Sequence, residues 1–233
     1  MKGIILAAGK GTRLYPLTKA ISKPLLPVYN KPMIYYPLQT LRNLGIEEIL
    51  VITNARDYDL FRNTIDDNKV TFAIQYEQIG VADAFNIARD FIGKDSVCLI
   101  LGDNIFIGGI EVPSNLEGAH VLGYRVDNPQ NFGVVEMQGN RVISIEEKPS
   151  KPKSNIIIPG IYFYDSQVLE FVKELKPSLR GELEITDINK MYLKQNQLSI
   201  SIPSNMKWFD VGSFESLLDA SNYIRNLQFS SQR

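Results

Sequence analysis

Short apolar segments alternate with amphipathic segments through the first hundred residues. The apolar segments span 3–7, 49–53, 70–75 and 97–101, and the amphipathic segments span 35–44, 57–65 and 81–91. This alternation is typical of right-handed βαβ units and predicts a largely parallel sheet with helices on both faces. Segments 48–52 and 97–101 carry runs of consecutive apolar residues, so we expect these two strands to be covered on both faces and to lie centrally in the sheet.

The pattern changes after Asp103. Strands are predicted at 120–126, 132–137, 141–146 and 156–164, and Gln138-Gly139-Asn140 is typical of a hairpin turn between two of them. Helices are predicted at 166–175, 184–195 and 214–227, and we expect 229–233 to be frayed. Since no repeat or change of composition divides the chain, we interpret 1–233 as one α/β domain. Its Rossmann-like, mostly parallel sheet would carry an added antiparallel part at the ligand-binding end.

The composition is that of an ordinary globular protein. Hydrophobic residues make up 44% and charged residues 22% of the 233 residues, and the net charge is −1. This balance predicts neither a nucleic-acid-binding face nor a face for acidic lipids. No segment approaches the roughly 20 apolar residues of a membrane span, and the N-terminus does not resemble a secretory signal. The single cysteine lies in an apolar segment, so we expect a buried thiol, no internal disulfide and a cytoplasmic location.

A glycine-rich turn follows the first apolar segment. From Gly9 to Arg13 the chain reads Gly-Lys-Gly-Thr-Arg. Glycines at the carboxyl end of a strand let backbone N–H groups point at phosphates, and the neighbouring threonine and basic side chains add donors and charge. The turn is not a dinucleotide fingerprint and lacks the Gly-Lys-Ser/Thr end of a P-loop. Taken alone, it fits a tight turn without a ligand equally well.

Lys23 lies in a stiff segment downstream of this turn. Pro24 and Pro27 fix the backbone around it and hold it out of a helix. A lysine held beside phosphates can neutralise a leaving pyrophosphate, although a solvated surface lysine is the simpler interpretation of this residue alone.

Two aspartates are candidate ligands for a divalent cation. Asp103 follows the strand predicted at 97–101, at the edge where open α/β sheets bind ligands, and Asp210 lies in a segment that contains aromatic residues and glycine. Carboxylates from distant parts of a chain can share one Mg²⁺, which keeps several waters and bridges phosphates. Each aspartate fits the cap of a turn equally well.

Other charged residues suggest a site for a second ligand. Glu147 and Lys148 close a predicted strand, where a hydroxyl acceptor would lie beside a phosphate-binding lysine. The two glutamates that follow Arg180 also favour the start of a helix through its dipole. The only histidine, His120, lies far from these motifs, which argues against a histidine-based triad or zinc cluster.

Taken in order, these motifs resemble those of the sugar-nucleotide pyrophosphorylases. The resemblance runs from Met1 to about Asn222 and is closest to the thymidylyl-transferring members. It is carried by the glycine-rich turn and by segments 22–27, 31–38, 101–106, 132–136, 146–149 and 180–189. A chance match to all of them is negligible, so the alternatives for single motifs lose most of their weight.

The resemblance implies transfer of a nucleotidyl group from dTTP to glucose-1-phosphate by Mg²⁺-assisted in-line attack, giving dTDP-glucose and pyrophosphate. Positioning and charge neutralisation would supply most of the catalysis. Residues 1–103 would mainly bind the nucleotide and 104–233 the sugar phosphate. The implied catalytic residues are Arg13, Lys23, Asp103 and Asp210, with Asp103 and Asp210 as metal ligands. The implied nucleotide-binding residues are Leu6, Ala8, Gly9, Gly11, Thr12, Arg13, Lys23, Gln78, Gly80 and Asp103. The implied sugar-phosphate-binding residues are Asn104, Gly133, Glu147, Lys148, Gly160 and Arg180.

Three departures from the family pattern affect what the resemblance implies. Ala8 stands where thymidylyl-transferring members usually carry glycine, so a UTP-dependent uridylyltransferase remains an alternative. Segment 76–84 is shorter than the usual base-binding loop and carries Asp83 in place of a common glutamine, which makes Gln78 and Gly80 the candidates for reading the base. The chain ends soon after the helix predicted at 214–227, so we expect feedback inhibition at the C-terminal allosteric site of longer relatives to be absent or altered.

A catalytically silent regulatory subunit of the same fold is a less favoured alternative. It requires the loss of metal or phosphate ligands, whereas Asp103, Asp210, Lys23 and Lys148 are all present. The glycine pattern also argues against a dinucleotide-dependent oxidoreductase. The resemblance further implies a homo-oligomer.

Overall fold

A computed structural model describes residues 1–113 and 115–230. Within them the strands are β1 (Lys2–Leu6), β2 (Pro27–Val28), β3 (Lys31–Pro32), β4 (Ile49–Thr53), β5 (Val70–Ile74), β6 (Val97–Leu101), β7 (Asn104–Ile107), β8 (Ala119–Leu122), β9 (Tyr124–Arg125), β10 (Gly133–Gln138), β11 (Arg141–Glu147), β12 (Ile156–Ile158), β13 (Ile161–Tyr164), β14 (Leu198–Ser201) and β15 (Lys207–Asp210). The α-helices are α1 (Leu17–Ala20), α2 (Tyr35–Asn43), α3 (Tyr58–Thr64), α4 (Ala84–Ile87), α5 (Arg89–Ile92), α6 (Val168–Glu174), α7 (Ile185–Lys194) and α8 (Phe214–Ser230). None of these helices has the length and apolar character needed to cross a bilayer.

The main sheet of the described residues has seven strands in the order β14-β8-β13-β6-β1-β4-β5. β1 lies between β4 and β6 and pairs in parallel with both, and β5 pairs in parallel with β4. β13 runs antiparallel to its two neighbours, β6 and β8, while β14 runs parallel to β8. The sheet is therefore mixed but mostly parallel, which confirms the predicted fold class.

Helices cover both faces of this sheet. Successive side chains of a strand point to opposite faces, so Ile4 and Leu50 pack into a core with α4 to α7, while Ile5 and Val51 pack into a second core with α2 and α3. All five residues of β4 are buried, and the single cysteine lies fully buried in β6. Both strands have neighbours on each side, which confirms that segments 48–52 and 97–101 lie within the sheet.

Two predicted strands are interrupted in the structure. Segment 120–126 forms β8 and β9, which belong to different sheets, and segment 156–164 likewise forms β12 and β13. Pro159 has no N–H for a strand ladder, so the second break is local in origin. At the first break, a Cβ on Gly123 would lie 2.8 Å from the Ile202 side chain, so a larger residue there would displace its neighbours. Strands β11-β10-β12-β9 form a four-stranded antiparallel sheet that contains the predicted hairpin turn.

Strands β7, β14 and β15 are not predicted by the hydrophobic pattern. β7 and β15 pair with each other, so each exists only because segments distant in sequence meet. Helix α8 covers this pair through Ala220 and Ile224. The helices predicted at 166–175 and 184–195 are confirmed as α6 and α7. The predicted fraying is wrong for Phe229 and Ser230, which continue α8; the rest of that segment, 231–233, lies outside the described residues.

Candidate active site

A cavity of about 980 Å³ opens beside the carboxyl end of β6. Its walls come from the end of β6, the four-stranded sheet, the start of α7 and the end of β15. A cavity of this size can enclose most of a nucleotide-sized ligand. Nine of the site residues named from the sequence line it: Arg13, Asp103, Asn104, Gly133, Glu147, Lys148, Gly160, Arg180 and Asp210.

The two candidate metal ligands share this cavity. Asp210 is the last residue of β15 and lies opposite Asn104 of β7, and the N–H of Val211 donates to the carbonyl oxygen of Asp103 at 2.9 Å. The β7–β15 pairing therefore brings together residues more than a hundred positions apart. Burial and the charge of Asp103 raise the pKa of Asp210 to about 6. Burial also disfavours a charged Asp103, but the Lys23 ammonium holds the pKa of Asp103 below its usual range.

The donor set at this point fits a hard divalent cation. Two carboxylates whose charges repel one another in a desolvated place are stabilised by a shared cation. In the part of the chain that the structure describes, no group of three or more His, Cys, Asp and Glu side chains is arranged as a metal site. Two protein carboxylates suit Mg²⁺, which takes its remaining ligands from water and phosphates.

Arg13 and Lys148 line the same cavity, and Lys23 lies beside it as the ion-pair partner of Asp103. The Arg13 guanidinium packs against Gly212: a Cβ added to Gly212 would lie 2.6 Å from Arg13 Nη2. Lys23 forms an ion pair with Asp103, and both side chains are mostly buried. Lys148 has a positive φ of 42° and donates its backbone N–H to Phe132 at 3.0 Å. Such a conformation is rare outside glycine and is often kept at functional sites.

Arg180 lines the cavity and lies among three carboxylates. Its guanidinium contacts Glu182 at 2.6 Å, Glu147 at 3.5 Å and Glu184 at 3.8 Å. Glu147 also accepts a hydrogen bond from the hydroxyl of Thr186. Arg180 is therefore held in place by acidic neighbours and remains about one-third exposed, facing the cavity.

The glycine-rich turn ends at Arg13, which lines the cavity, and packs against Lys23. Gly11 has a φ of 64°, and a Cβ there would lie 3.0 Å from Thr18 and 3.1 Å from the Lys23 Cβ. The Thr18 hydroxyl donates to the Gly11 carbonyl at 2.7 Å. The space around Gly9 is open. The turn is thus tied to Lys23 and leaves backbone on its outer side free to meet phosphates.

Other predicted nucleotide-binding residues lie outside the cavity lining. Leu6, Ala8, Gly9, Gly11, Thr12, Lys23, Gln78 and Gly80 do not appear among the described residues that line it. Gln78 donates from its side-chain amide to the Ala8 carbonyl, so the base-loop candidate contacts the glycine-rich turn. Gly80 instead packs against Leu183, where a Cβ would lie 2.4 Å from the backbone oxygen.

Known proteins with this sequence pattern are nucleotidyl transferases. Residues 2–226 match the family model described as Nucleotidyl transferase. A glucose-1-phosphate thymidylyltransferase of Neisseria meningitidis is 49% identical over 241 residues, which cover 98% of this chain and 84% of that protein. This chain belongs to the nucleotidyl transferase family. A relative of the same name from Mycolicibacterium smegmatis is 46% identical and covers 98% of this chain and 83% of its own length.

Solved structures agree with this placement in the nucleotidyl transferase family. A structure named as a glucose-1-phosphate thymidylyltransferase from Bacillus anthracis, in complex with sucrose, has a TM-score of 0.88 and 42% identity, covering 97% of this chain and 95% of that one. A UDP-glucose pyrophosphorylase complexed with UDP-glucose has a TM-score of 0.82 and 25% identity, covering 97% and 98%. The resemblance predicted from the motifs is therefore confirmed.

The nucleotidyl transferase cavity also contains residues that the sequence reasoning missed. Tyr162, Asn189, Trp208 and Ser213 line it without having been named as candidates, as does Thr186, which bonds to Glu147. Thr186 and Asn189 lie within segment 180–189, which carries the family resemblance, and Trp208 lies two residues before Asp210, so the uncharged residues of these segments were recognisable candidates. The sequence does not single out Tyr162, because β13 is an apolar and aromatic segment typical of a buried strand.

Proposed function

We propose that this protein transfers a thymidylyl group from dTTP to glucose-1-phosphate, releasing pyrophosphate and dTDP-glucose. The observation that supports this most strongly is one cavity lined by Asp103, Asp210, Arg13, Lys148 and Arg180, with Lys23 ion-paired to Asp103. The chain is also 49% identical to a glucose-1-phosphate thymidylyltransferase. The reaction needs charge neutralisation on both substrates, and this arrangement supplies it from residues of both halves of the chain.

In the proposed reaction an oxygen of the sugar phosphate forms a bond to the α-phosphorus of dTTP. The bond from that phosphorus to the bridging oxygen breaks, and pyrophosphate leaves with the electron pair. Arg13 and Lys23 would neutralise the triphosphate, and Lys148 and Arg180 would hold the sugar phosphate in line. Glu147 and Gly133 would hold the sugar. Because the attacking oxygen belongs to the substrate, no side chain needs to act as a nucleophile.

A divalent cation completes this proposal. Asp103 and Asp210 would hold Mg²⁺, which would supply charge neutralisation at the phosphates. The fit rests on two desolvated carboxylates that share one cavity. Protein oxygens alone would leave coordination positions that phosphates and waters can fill.

Thymine specificity is proposed in preference to uracil specificity. The thymidylyltransferases are 43–49% identical to this chain, whereas the UDP-glucose pyrophosphorylase structure is 25% identical. We propose that Gln78, beside Ala8, contributes to reading the base. The roles of Leu6, Gly9, Gly11, Thr12 and Gly80 at the nucleotide, a homo-oligomeric state and a cytoplasmic location belong to the same proposal.

The test is pyrophosphate release with Mg²⁺, glucose-1-phosphate and each nucleoside triphosphate in turn, with the nucleotide sugar identified by chromatography. We expect dTTP to give the highest kcat/KM and dTDP-glucose as product. Asp103→Asn and Asp210→Asn proteins serve as folded controls with little activity. Preference for UTP would favour the uridylyltransferase, and no release from any pair would favour the silent regulatory subunit.

A further inference from the structure

Asn104 lies at the junction of three chain segments and is almost completely buried, with 2% of its surface exposed. It is the first residue of β7 and follows Asp103 directly. Its Oδ1 accepts hydrogen bonds from Trp208 Nε1 at 2.7 Å and from the Gly160 backbone N–H at 3.2 Å. Its Nδ2 donates to Asp103 Oδ1 at 2.8 Å.

These partners fix the orientation of the Asn104 amide. The indole of Trp208 and the backbone N–H of Gly160 can only donate, so the amide oxygen must face them. A carboxylate can only accept, so the amide NH₂ must face Asp103. Both acceptor positions of the oxygen are used, and the amide cannot flip without losing all three hydrogen bonds.

The two donors, Gly160 and Trp208, also line the cavity and belong to two other segments of the chain. Gly160 joins β12 to β13, and a Cβ there would lie 2.7 Å from Asn104 Oδ1, so the contact requires glycine. Trp208 lies on β15, two residues before Asp210. The amide of Asn104 therefore connects β15, which carries Asp210, to the carboxylate of Asp103.

We propose that Asn104 is a positioning residue that orients the Asp103 carboxylate for the metal–triphosphate complex. One oxygen of Asp103 is held by Asn104 and the other faces Lys23. Hydrogen bonds to an ionised carboxylate are stronger than neutral ones and fix its direction. This role is separate from a contact to the sugar phosphate, and it rests on the proposed function, because it requires Asp103 to serve a metal-bound triphosphate.

The experiment measures how much a divalent cation strengthens dTTP binding in the absence of sugar phosphate. Calorimetric titration of dTTP with excess Mn²⁺, and again with EDTA, gives two dissociation constants whose ratio is the metal-dependent gain. A general loss of structure weakens both titrations and leaves the ratio unchanged, whereas misdirection of Asp103 lowers the ratio. The ratio therefore separates positioning from a structural role without measuring turnover.

Asn104→Ala is the test variant and Trp208→Phe is its matched control. Both lose the hydrogen bond between Trp208 and Asn104, but only Asn104→Ala loses the donor to Asp103. We expect the metal-dependent gain in dTTP affinity to fall about tenfold or more in Asn104→Ala, which is the effect of one hydrogen bond to a charged group. In Trp208→Phe the gain should stay within about twofold of wild type. If Asn104→Ala does not fold, Asn104→Ser is the second variant, because it replaces the amide with a shorter hydroxyl and removes the NH₂ that bonds to Asp103.

Three results would overturn the inference. A gain in Asn104→Ala, or in Asn104→Ser, that equals wild type would mean that the amide does not direct Asp103. An equal loss in Trp208→Phe would mean that packing around Trp208 sets the gain. No metal-dependent gain in the wild-type protein would remove the proposed metal site, and with it the need for a positioned carboxylate.

Discussion

Lys23 and Asp103 form an ion pair between the glycine-rich turn and the cavity, with 12% and 18% of their side-chain surfaces exposed. The other oxygen of Asp103 accepts a hydrogen bond from Asn104, so both oxygens have partners within the protein. Lys23 also lies against Gly11 of the turn. In the proposed reaction, Lys23 would exchange Asp103 for the triphosphate, and Asp103 would exchange Lys23 for the cation.

Replacing Lys23 by methionine is expected to destabilise the ligand-free protein. The Asp103 carboxylate would remain in a desolvated place without its cationic partner, at a cost of about 1–3 kcal/mol in the free energy of unfolding. Urea unfolding measures this loss, and Mg²⁺ is expected to restore more stability to Lys23→Met than to wild type. Lys19→Met, which removes an exposed lysine four residues earlier, should change stability by less than about 0.5 kcal/mol.

Replacing Arg13 by alanine is expected to lower turnover by about 10²-fold or more, because a preorganised cation at the phosphates is lost. Arg13 lines the cavity, and its charge acts on Asp210. Steady-state pyrophosphate release measures the change. Arg13→Lys keeps a positive charge and should recover part of the rate. Unaltered turnover in Arg13→Ala would remove the proposed role.

Replacing Gly212 by alanine is expected to act through Arg13. The new Cβ would lie 2.6 Å from Arg13 Nη2 and 2.9 Å from Cζ, so the flexible guanidinium must move. We expect kcat to fall about tenfold or more while the free energy of unfolding stays close to wild type. In an Arg13→Ala background the same substitution should have no further effect on kcat, and an additional loss there would contradict this route.

Replacing Gly80 by alanine is expected to cost about 2 kcal/mol or more of stability. Its φ is 125°, and a Cβ would lie 2.4 Å from the oxygen and 2.5 Å from the nitrogen of Leu183. Gly139→Ala is the control, because Gly139 has a φ of 59° but no atom within 4 Å of an added Cβ. It should lose only about 1 kcal/mol in urea unfolding. Equal losses would mean that the contact with Leu183 contributes nothing.

Stability is expected to fall as the pH decreases through the titration range of His120. Burial lowers the pKa of His120 below its usual 6.5, and its ring bonds to the hydroxyls of Ser199 and Ser201 at 2.8 and 3.0 Å. As the pH falls below 6.5, the unfolded chain binds a proton that the folded chain does not, so the free energy of unfolding decreases. The slope cannot exceed about 1.4 kcal/mol per pH unit for one proton.

The measurement is the difference in unfolding free energy between wild type and His120→Gln from pH 7.5 to 5.5. His120 is the only histidine. Asp210, whose pKa is raised to about 6, titrates in both proteins, so the comparison cancels its contribution. A difference that does not change with pH would show that burial of His120 is not linked to stability.

The sequence by itself determined the parallel half of the sheet and the family. The strands β1, β4 and β6 were predicted from continuous apolar segments, because a strand covered by helices on both faces needs apolar side chains at successive positions. The motifs with glycine, lysine and aspartate carry the chemistry in short segments, so they can be recognised without any tertiary contact.

Only the tertiary structure decided how the two candidate metal ligands meet. β7 and β15 are short strands whose pairing is non-local, and no local pattern predicts that Asp210 lies opposite Asn104. The hydrogen bonds of Asn104 likewise join it to Gly160, which lies 56 positions later in the chain, and to Trp208, which lies 104 positions later. Hydrophobic periodicity reports which face of a segment is buried, whereas the position of a carboxylate in a cavity depends on which distant segments share an edge.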